Sequence, residues 1–368
     1  MNLGLKEMQR TRARFTFVTA ALTFLVLLVL LLGALSDGLF YGATGAIRTA
    51  RADAYVFDAD DDGSLVRSRV PDSLAGELAT RPGVEAATPV GLLLTSGTGP
   101  RGTLDLALFG LGAGGAGQPA EVVAGRFPGP AERGVAAVDE SLQDKGVGLG
   151  STLTVGSTPI RVVGVVKDAK YQSQPTVWTS VPTWREARAQ VRPETRGETG
   201  LVTAVALRLI PGTPASDVAL PPGFTARSAE GTYLAIPGVE QQKSTLTIIR
   251  YAVLIVAGLV VALFFALLVL EKRELLAALK AVGVTTGRIA AGLLTQALLV
   301  AAVAVLIGAA VARPVGLVLP DSVPAQFRIS SVVTTAVLVL AAAAVGVALS
   351  LRRVARIDPA TALGGSAQ

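Results

Sequence analysis

Two uncharged apolar runs, residues 251–270 and 289–312, are joined by a short polar and basic island, residues 271–288. Each run is long enough to cross a hydrocarbon core about 30 Å thick, so the island must lie at a membrane surface. Residues 15–36 and 329–351 qualify in the same way, and no other stretch approaches spanning length. The expected fold class is an α+β membrane protein: four transmembrane helices, with residues 37–250 as a large α+β extracytoplasmic domain inserted between helices 1 and 2. Basic residues precede the first span and the small residues Gly33, Ala34 and Ser36 stand at its end, as in a signal peptide. Its apolar region is too long for one, and it is expected to stay as a span.

Charge sets the orientation. Residues 1–14, 271–288 and 352–368 hold eleven Lys/Arg against four Asp/Glu, and the rest of the chain holds twenty-two against twenty-three, so the net positive charge sits on one side of the membrane. By the positive-inside rule that side is cytoplasmic, in a cell membrane crossed several times with both termini inside. The high pI is then a topology signal, and no nucleic-acid partner is implied. Histidine and cysteine are absent. That excludes disulfides, thiol nucleophiles, Ser-His-Asp triads and the usual zinc sites.

Within the island, helical spacing gathers Leu275, Leu276, Leu279 and Val282 on one side and leaves Lys272, Arg273, Glu274 and Lys280 near water. Gly283 ends this helix, and Thr285 or Thr286 caps the next. A short amphipathic helix between two spans is a surface that a soluble partner can push on. Residues 1–14 set Leu3, Leu5 and Met8 among charges, as an interfacial helix does. Residues 313–328 are proline-rich and read as a compact outer loop.

Between the first two spans, residues 52–59, 84–95, 104–111 and 201–210 read as strands, and 71–80 as a short helix capped by Asp72 or Ser73. Residues 118–191 interrupt this order with strands at 135–138, 152–155 and 159–167, and the economical reading is a small all-β insertion. Residues 237–250 repeat Val239, Lys243, Leu246 and Ile249 at helical spacing and are expected to extend the second span outward as a stalk. Gly38, Gly42 and Gly45, just past the first span, suit a close approach or a loosened helix end. Trp178 and Trp184 are read as core residues, with a ligand or partner rim as the functional alternative.

Two motifs are weighed and set aside. Residues 112–117 spell GxGxxG, but no helix opens at Gln118-Pro119 and no βαβ unit surrounds them, so a flexible linker is expected. Residues 58–63 begin like a calcium loop, yet Arg69 stands where a bidentate glutamate is needed, which leaves a solvated turn. No GxxxxGK[ST] occurs, so the chain has no P-loop of its own. The spans also lack the ionisable groups that ion-coupled carriers place at mid-membrane.

Arg273-Glu274, then Leu279-Lys280-Ala281-Val282-Gly283 and Ile289, resemble the cytoplasmic signature of the FtsX/MacB-like permeases of ABC transporters. Asp358-Pro359, followed by Leu363, resembles the terminal motif of the same family. Residues 123–166 resemble its extracytoplasmic domain, with Gly150-Ser151 where the family has Gly-Asp. The resemblance implies a non-catalytic subunit acting as a homodimer with two copies of a separate ABC ATPase, which binds the ATP and Mg. It implies no intrinsic cofactor, and contact with membrane lipids. Arg273, Glu274, Leu279, Lys280 and Gly283 become the ATPase-coupling residues, and ATP-driven closure moves stalks and ectodomains, a behaviour called mechanotransmission.

Within the family the segment after the first span most resembles haem-exporter and DevC-like permeases, which makes haem a candidate substrate. A lipoprotein- or glycolipid-releasing permease and an FtsX-like regulator of a cell-wall hydrolase stay open. Haem iron is commonly held by His, Cys, Met or Tyr. The only methionines, Met1 and Met8, fall on the cytoplasmic side, so tyrosine or carboxylate remains. Asp37, Phe40 and Tyr41, just beyond the first span, and Tyr251, at the start of the second, are the candidate substrate-binding residues, with an interfacial aromatic belt as the alternative for the tyrosines.

Overall fold

The computed structural model describes residues 12–271, 282, 284–318 and 325–355. They form two units, Leu39–Gln242 and a helical unit of the residues on either side of it. In chain order the first elements are α1 (Arg12–Arg48), β1 (Ala54–Asp58), β2 (Val70–Pro71), α2 (Leu74–Leu78), β3 (Val84–Gly99), β4 (Gly102–Leu111), β5 (Val122–Gly125) and β6 (Val135–Asp139). Next come β7 (Thr152–Val155), β8 (Thr158–Val166), β9 (Thr176–Ser180), α3 (Val181–Val191), β10 (Leu201–Val202), β11 (Ala204–Leu209), β12 (Phe224–Ser228) and α4 (Ala229–Leu234). The last helices are α5 (Val239–Glu271), α6 (Thr286–Val318) and α7 (Ile329–Ala355).

In the unit Leu39–Gln242 one sheet runs β12-β1-β11-β3-β4-β9-β6-β8-β5. β7 bridges β8 back to the far end of β3, so β3, β4, β9, β6, β8 and β7 close a ring. Alternation sorts the side chains: Leu104, Leu106 and Leu108 face one core, while Ala107, Phe109 and Leu111 face another. Because both faces are covered, β1 is buried at four successive residues, Ala54 to Phe57. β2 and β10 pair separately as a short ribbon.

Residues 118–191 are not a separate all-β insertion. β9 lies between β4 and β6 and bonds to both, which leaves no edge at which a subdomain could part from the main sheet. The segment also contains the helix α3, opened by Ser180, whose hydroxyl accepts from the Thr183 amide, with Pro182 in the first turn. From α3, Trp184 fills a slot over Gly91 and Gly110, which face each other across β3 and β4. A Cβ on either glycine would lie 2.5 Å from Trp184 side-chain atoms. Trp184 is fully buried, worth roughly 5 kcal/mol of transfer free energy before its ordering cost. Trp178 is buried as well, stacked on Phe109 at 4.3 Å. Both tryptophans are core residues.

Other local expectations change. α2 has no side-chain cap: Ser73 is itself in a helical conformation, and the Asp72 carboxylate pairs with Arg185 at 2.5 Å. Residues 112–117 are pinned, not a free linker. Gly112 donates to the Pro89 carbonyl and Ala116 to the Thr88 hydroxyl, and a Cβ on Gly114 would lie 2.2 Å from the Ala87 carbonyl oxygen. Residues 59–61 form a short 3-10 turn with Asp58 capping Asp60, and among the described residues no carboxylate cluster could hold a metal ion.

Among the described residues, four helices are long and apolar enough to span a membrane. α1 continues past residue 36 to Arg48, and α6 continues through Pro314 to Val318. α5 and α7 cross at small residues, with a Cβ on Gly346 falling 2.5 Å from the Gly258 carbonyl oxygen. α1 and α6 meet at Gly308, whose Cβ would lie 2.8 Å from Val26. Around these contacts Val29, Phe265, Ala301 and Val347 are buried in one core. Leu259, Leu263, Leu306 and Val337 point outward and are exposed, as suits contact with lipid chains.

Candidate functional site

At the start of the unit Leu39–Gln242, the last turns of α1 carry an aromatic and charged cluster. Phe40 packs edge-on against Tyr41 and Tyr233, each at 5.7 Å between ring centres. The Arg48 guanidinium lies 3.9 Å over the Tyr41 ring. Tyr233 comes from α4, whose cap is Ser228, accepting from the Gly231 amide. Burial, then the neighbouring Glu230 carboxylate, pushes the Tyr233 phenol up, and the positive charge of Arg48 opposes that rise. Of the protein's other tyrosines, Tyr55 and Tyr171 are buried, and burial pushes both phenols up.

The same turns of α1 are clamped by the loop after β8. The Ala46 amide donates to the Lys170 carbonyl at 2.8 Å, and the Gln172 and Ser173 amides donate to the Ala43 and Gly42 carbonyls, each at 2.9 Å. A Cβ on Gly45 would lie 2.4 Å from the Asp168 carbonyl oxygen, so only glycine permits this contact. Asp168, Gln172 and Ser173 hold left-handed backbone conformations without being glycine, a local cost of about 1 kcal/mol or more each. The close approach expected of Gly45 is therefore to a loop backbone.

In the helical unit, Asp37 on α1 accepts a short hydrogen bond from the Ser331 hydroxyl on α7. One turn on, the Thr335 hydroxyl accepts from Arg250 of α5 at 2.8 Å. Two hydroxyls of α7 thus hold an acidic and a basic residue brought by two other helices. Tyr251, beside Arg250, is 55% exposed. The structure joins Phe40 and Tyr41 to each other, to Arg48 and to Tyr233, and it engages Asp37 with Ser331. Sequence reasoning missed Tyr233, Arg48, Arg250, Ser331 and Thr335. Arg250 carried a signal, as a charge directly at the edge of an apolar run. The coupling residues Arg273, Glu274, Leu279, Lys280 and Gly283, the terminal Asp358, Pro359 and Leu363, and the helix expected before residue 12 lie outside the described residues.

The profile of the MacB-like periplasmic core domain matches residues 16–219, more than half of the chain, and that of the FtsX-like permease C-terminal domain matches residues 247–359. The chain belongs to the MacB/FtsX-like permease family of ABC transporters. An uncharacterized ABC transporter permease of Mycobacterium tuberculosis is 28% identical over 98% of this chain and 99% of its own length. A putative hemin transport system permease protein, HrtB, of Staphylococcus epidermidis is 25% identical over 35% of this chain and 37% of its own. The periplasmic region of MacB from Actinobacillus actinomycetemcomitans covers 52% of this chain and 96% of its own, at 15% identity and a TM-score of 0.38.

As a MacB/FtsX-like permease, the chain is a multi-pass membrane subunit of an ABC transporter, with a large α/β domain between its first two membrane helices. Membership implies a partner ATPase. The clamp joins the last turns of α1 to the loop after β8, and the Phe40, Tyr41 and Tyr233 cluster lies on and beside the same turns.

Proposed function

We propose that this permease exports haem or another lipophilic substrate, taken from the membrane or its outer face, by mechanotransmission. The observation that carries the reading is a packed bundle interior. Val29, Phe265, Ala301 and Val347 close the core, and the expected spans contain no Asp, Glu, Lys or Arg, so among the described residues one protomer offers no polar conduit. Work must then pass along helices, and α1 and α5 are each unbroken, over Arg12–Arg48 and Val239–Glu271. The charge distribution supports cytoplasmic termini and an outer ectodomain. A homodimer with two ATPase subunits supplies the stroke, and no cofactor of the permease's own takes part.

Haem is the favoured substrate because a putative hemin transport permease is among the relatives, and because Tyr41 and Tyr233, both half-buried, bring two phenol oxygens to the aromatic cluster. Arg48 beside them suits a haem propionate. The test is spectral. The purified full chain titrated with haemin should show a saturable Soret change that Tyr41→Phe or Tyr233→Phe diminishes. Unchanged binding in both, and in Asp37→Ala and Tyr251→Phe, would sink the site. No saturable binding at all would transfer the reading to a lipoprotein- or glycolipid-releasing permease.

A further inference from the structure

A cavity of about 300 Å³ opens in the unit Leu39–Gln242, lined by none of Phe40, Tyr41, Arg48 and Tyr233. Its walls come from the turn after β1 (Asp62, Ser64, Val66, Arg67), from Leu94 of β3, from Gln172 of the clamp loop, and from Ala235 and Pro237 after α4. Asp62 and Arg67 bring opposite charges to one small space. Neither belongs to an ion pair among the described residues, and both side chains are exposed. Among the described residues the Arg67 side chain makes one polar contact, a long one of 3.5 Å to the Asp61 carbonyl. Between the charges the lining is apolar, through Val66, Leu94, Ala235 and Pro237. Ser64 and Gln172 add one hydroxyl and one amide.

Backbone strain marks the same place. Asp62 and Gln172 both sit at a φ of 50°, in the left-handed region, and both line the cavity. Non-glycine residues keep such conformations where the surroundings over-determine them, often at ligand sites. The Gln172 amide is held by the Ala43 carbonyl, and Asp62 terminates the 3-10 turn, so both walls are fixed before any ligand arrives.

We propose that this cavity binds a small zwitterion with an apolar body, of the class of a free dipeptide of apolar residues. The Asp62 carboxylate would take the ammonium group, and the Arg67 guanidinium the carboxylate, through charge-assisted hydrogen bonds. The apolar floor takes the side chains, and Gln172 pairs with the peptide amide. The volume lies at the small end of the range for small-molecule pockets, about 300–1,000 Å³, which fits a dipeptide and excludes a haem-sized ligand. An occupant touches both the loop that clamps α1 and the turn that leads into α5 at Val239. The site is therefore placed to report an external solute to both helices, whatever the permease exports.

The experiment is calorimetric titration of the full chain in lipid nanodiscs with alanyl-leucine, its N-acetylated form, its C-terminal amide and glycylglycine. Saturable binding of alanyl-leucine is expected, with each charge-deleted form and glycylglycine weaker by about tenfold or more. Asp62→Asn keeps a residue that tolerates the left-handed conformation, so the fold survives the change. It should weaken alanyl-leucine by about tenfold while abolishing discrimination against the acetylated form, and Arg67→Gln should do the same for the amide. Absence of saturable binding up to about 10 mM, or equal affinity in both variants, overturns the proposal. Hydrogen exchange gives a second readout: alanyl-leucine should slow exchange in residues 168–174 and 235–239, and slowing confined to other segments overturns the assignment.

Discussion

A Cβ on Gly346 of α7 would lie 2.5 Å from the carbonyl oxygen of Gly258 on α5 and 3.1 Å from the amide nitrogen of Ala262. Lipid chains are as apolar as the side chains they would replace, so membrane helices associate through close backbone packing and polar contacts. This crossing depends on having no side chain at residue 346. Gly346→Val should lower stability by about 1–3 kcal/mol, as overpacking does. Gly33→Ala is the control, because nothing stands within 4 Å of its Cβ direction. Thermal unfolding of the purified protein in detergent decides it. Equal midpoints for the two variants would contradict the crossing.

The slot that Gly91 and Gly110 make for Trp184 gives a second prediction. Trp184→Ala leaves a large void in a core that has little freedom to collapse, because the slot floor is backbone. A loss of about 3–5 kcal/mol is expected. Adding Gly91→Ala to that variant should cost less than Gly91→Ala alone, since the ring that a new Cβ would strike is gone. Additive losses, read from unfolding midpoints, would argue against the contact.

The strands β1, β3, β4, β6, β7 and β8 were legible because each alternates, or runs apolar, between turn residues. β9 was not. Its five residues are all buried, and it lies between two neighbours, so it shows no period to read. α3 could have been found, since Ser180 and Pro182 form a helix start. The four apolar runs were plain from the sequence, but Gly258, Gly308 and Gly346 are three of many small residues there, and only the fold says which ones touch. In the candidate site Phe40 and Tyr41 stood out by position. Tyr233 did not, because its meeting with Phe40 depends on a contact between elements nearly two hundred residues apart.

The clamp on α1 yields a third prediction. Gly45→Val would drive a side chain into the Asp168 carbonyl and the backbone at Lys170. The loop must then part from the helix, while the sheet behind it keeps its own hydrogen bonds. Exchange at the Ala46, Gln172 and Ser173 amides, all donors in the clamp, should quicken by about tenfold or more. Amides of β3 and β4 should stay protected. If transport runs through this contact, the variant hydrolyses ATP with its partner yet exports poorly. Unchanged exchange at the three amides would remove the clamp from the mechanism.

The fourth prediction concerns the polar island between the second and third spans. Sequence spacing alone predicts that Arg273 and Glu274 stand on the polar side of an amphipathic helix whose apolar side has Leu275 and Leu279. A surface of this kind, between two spans and on the positive side of the membrane, is where an ATPase would bear. Glu274→Lys leaves the apolar face intact, so insertion and yield should match the parent. It reverses one charge at the proposed contact, and like-charge juxtaposition at an interface costs several kcal/mol. The partner ATPase should co-purify poorly, and its stimulated hydrolysis should fall by about tenfold or more. Leu279→Ala should weaken the same complex by removing buried apolar surface, without adding repulsion. Normal co-purification and hydrolysis in both variants would mean that the ATPase bears elsewhere.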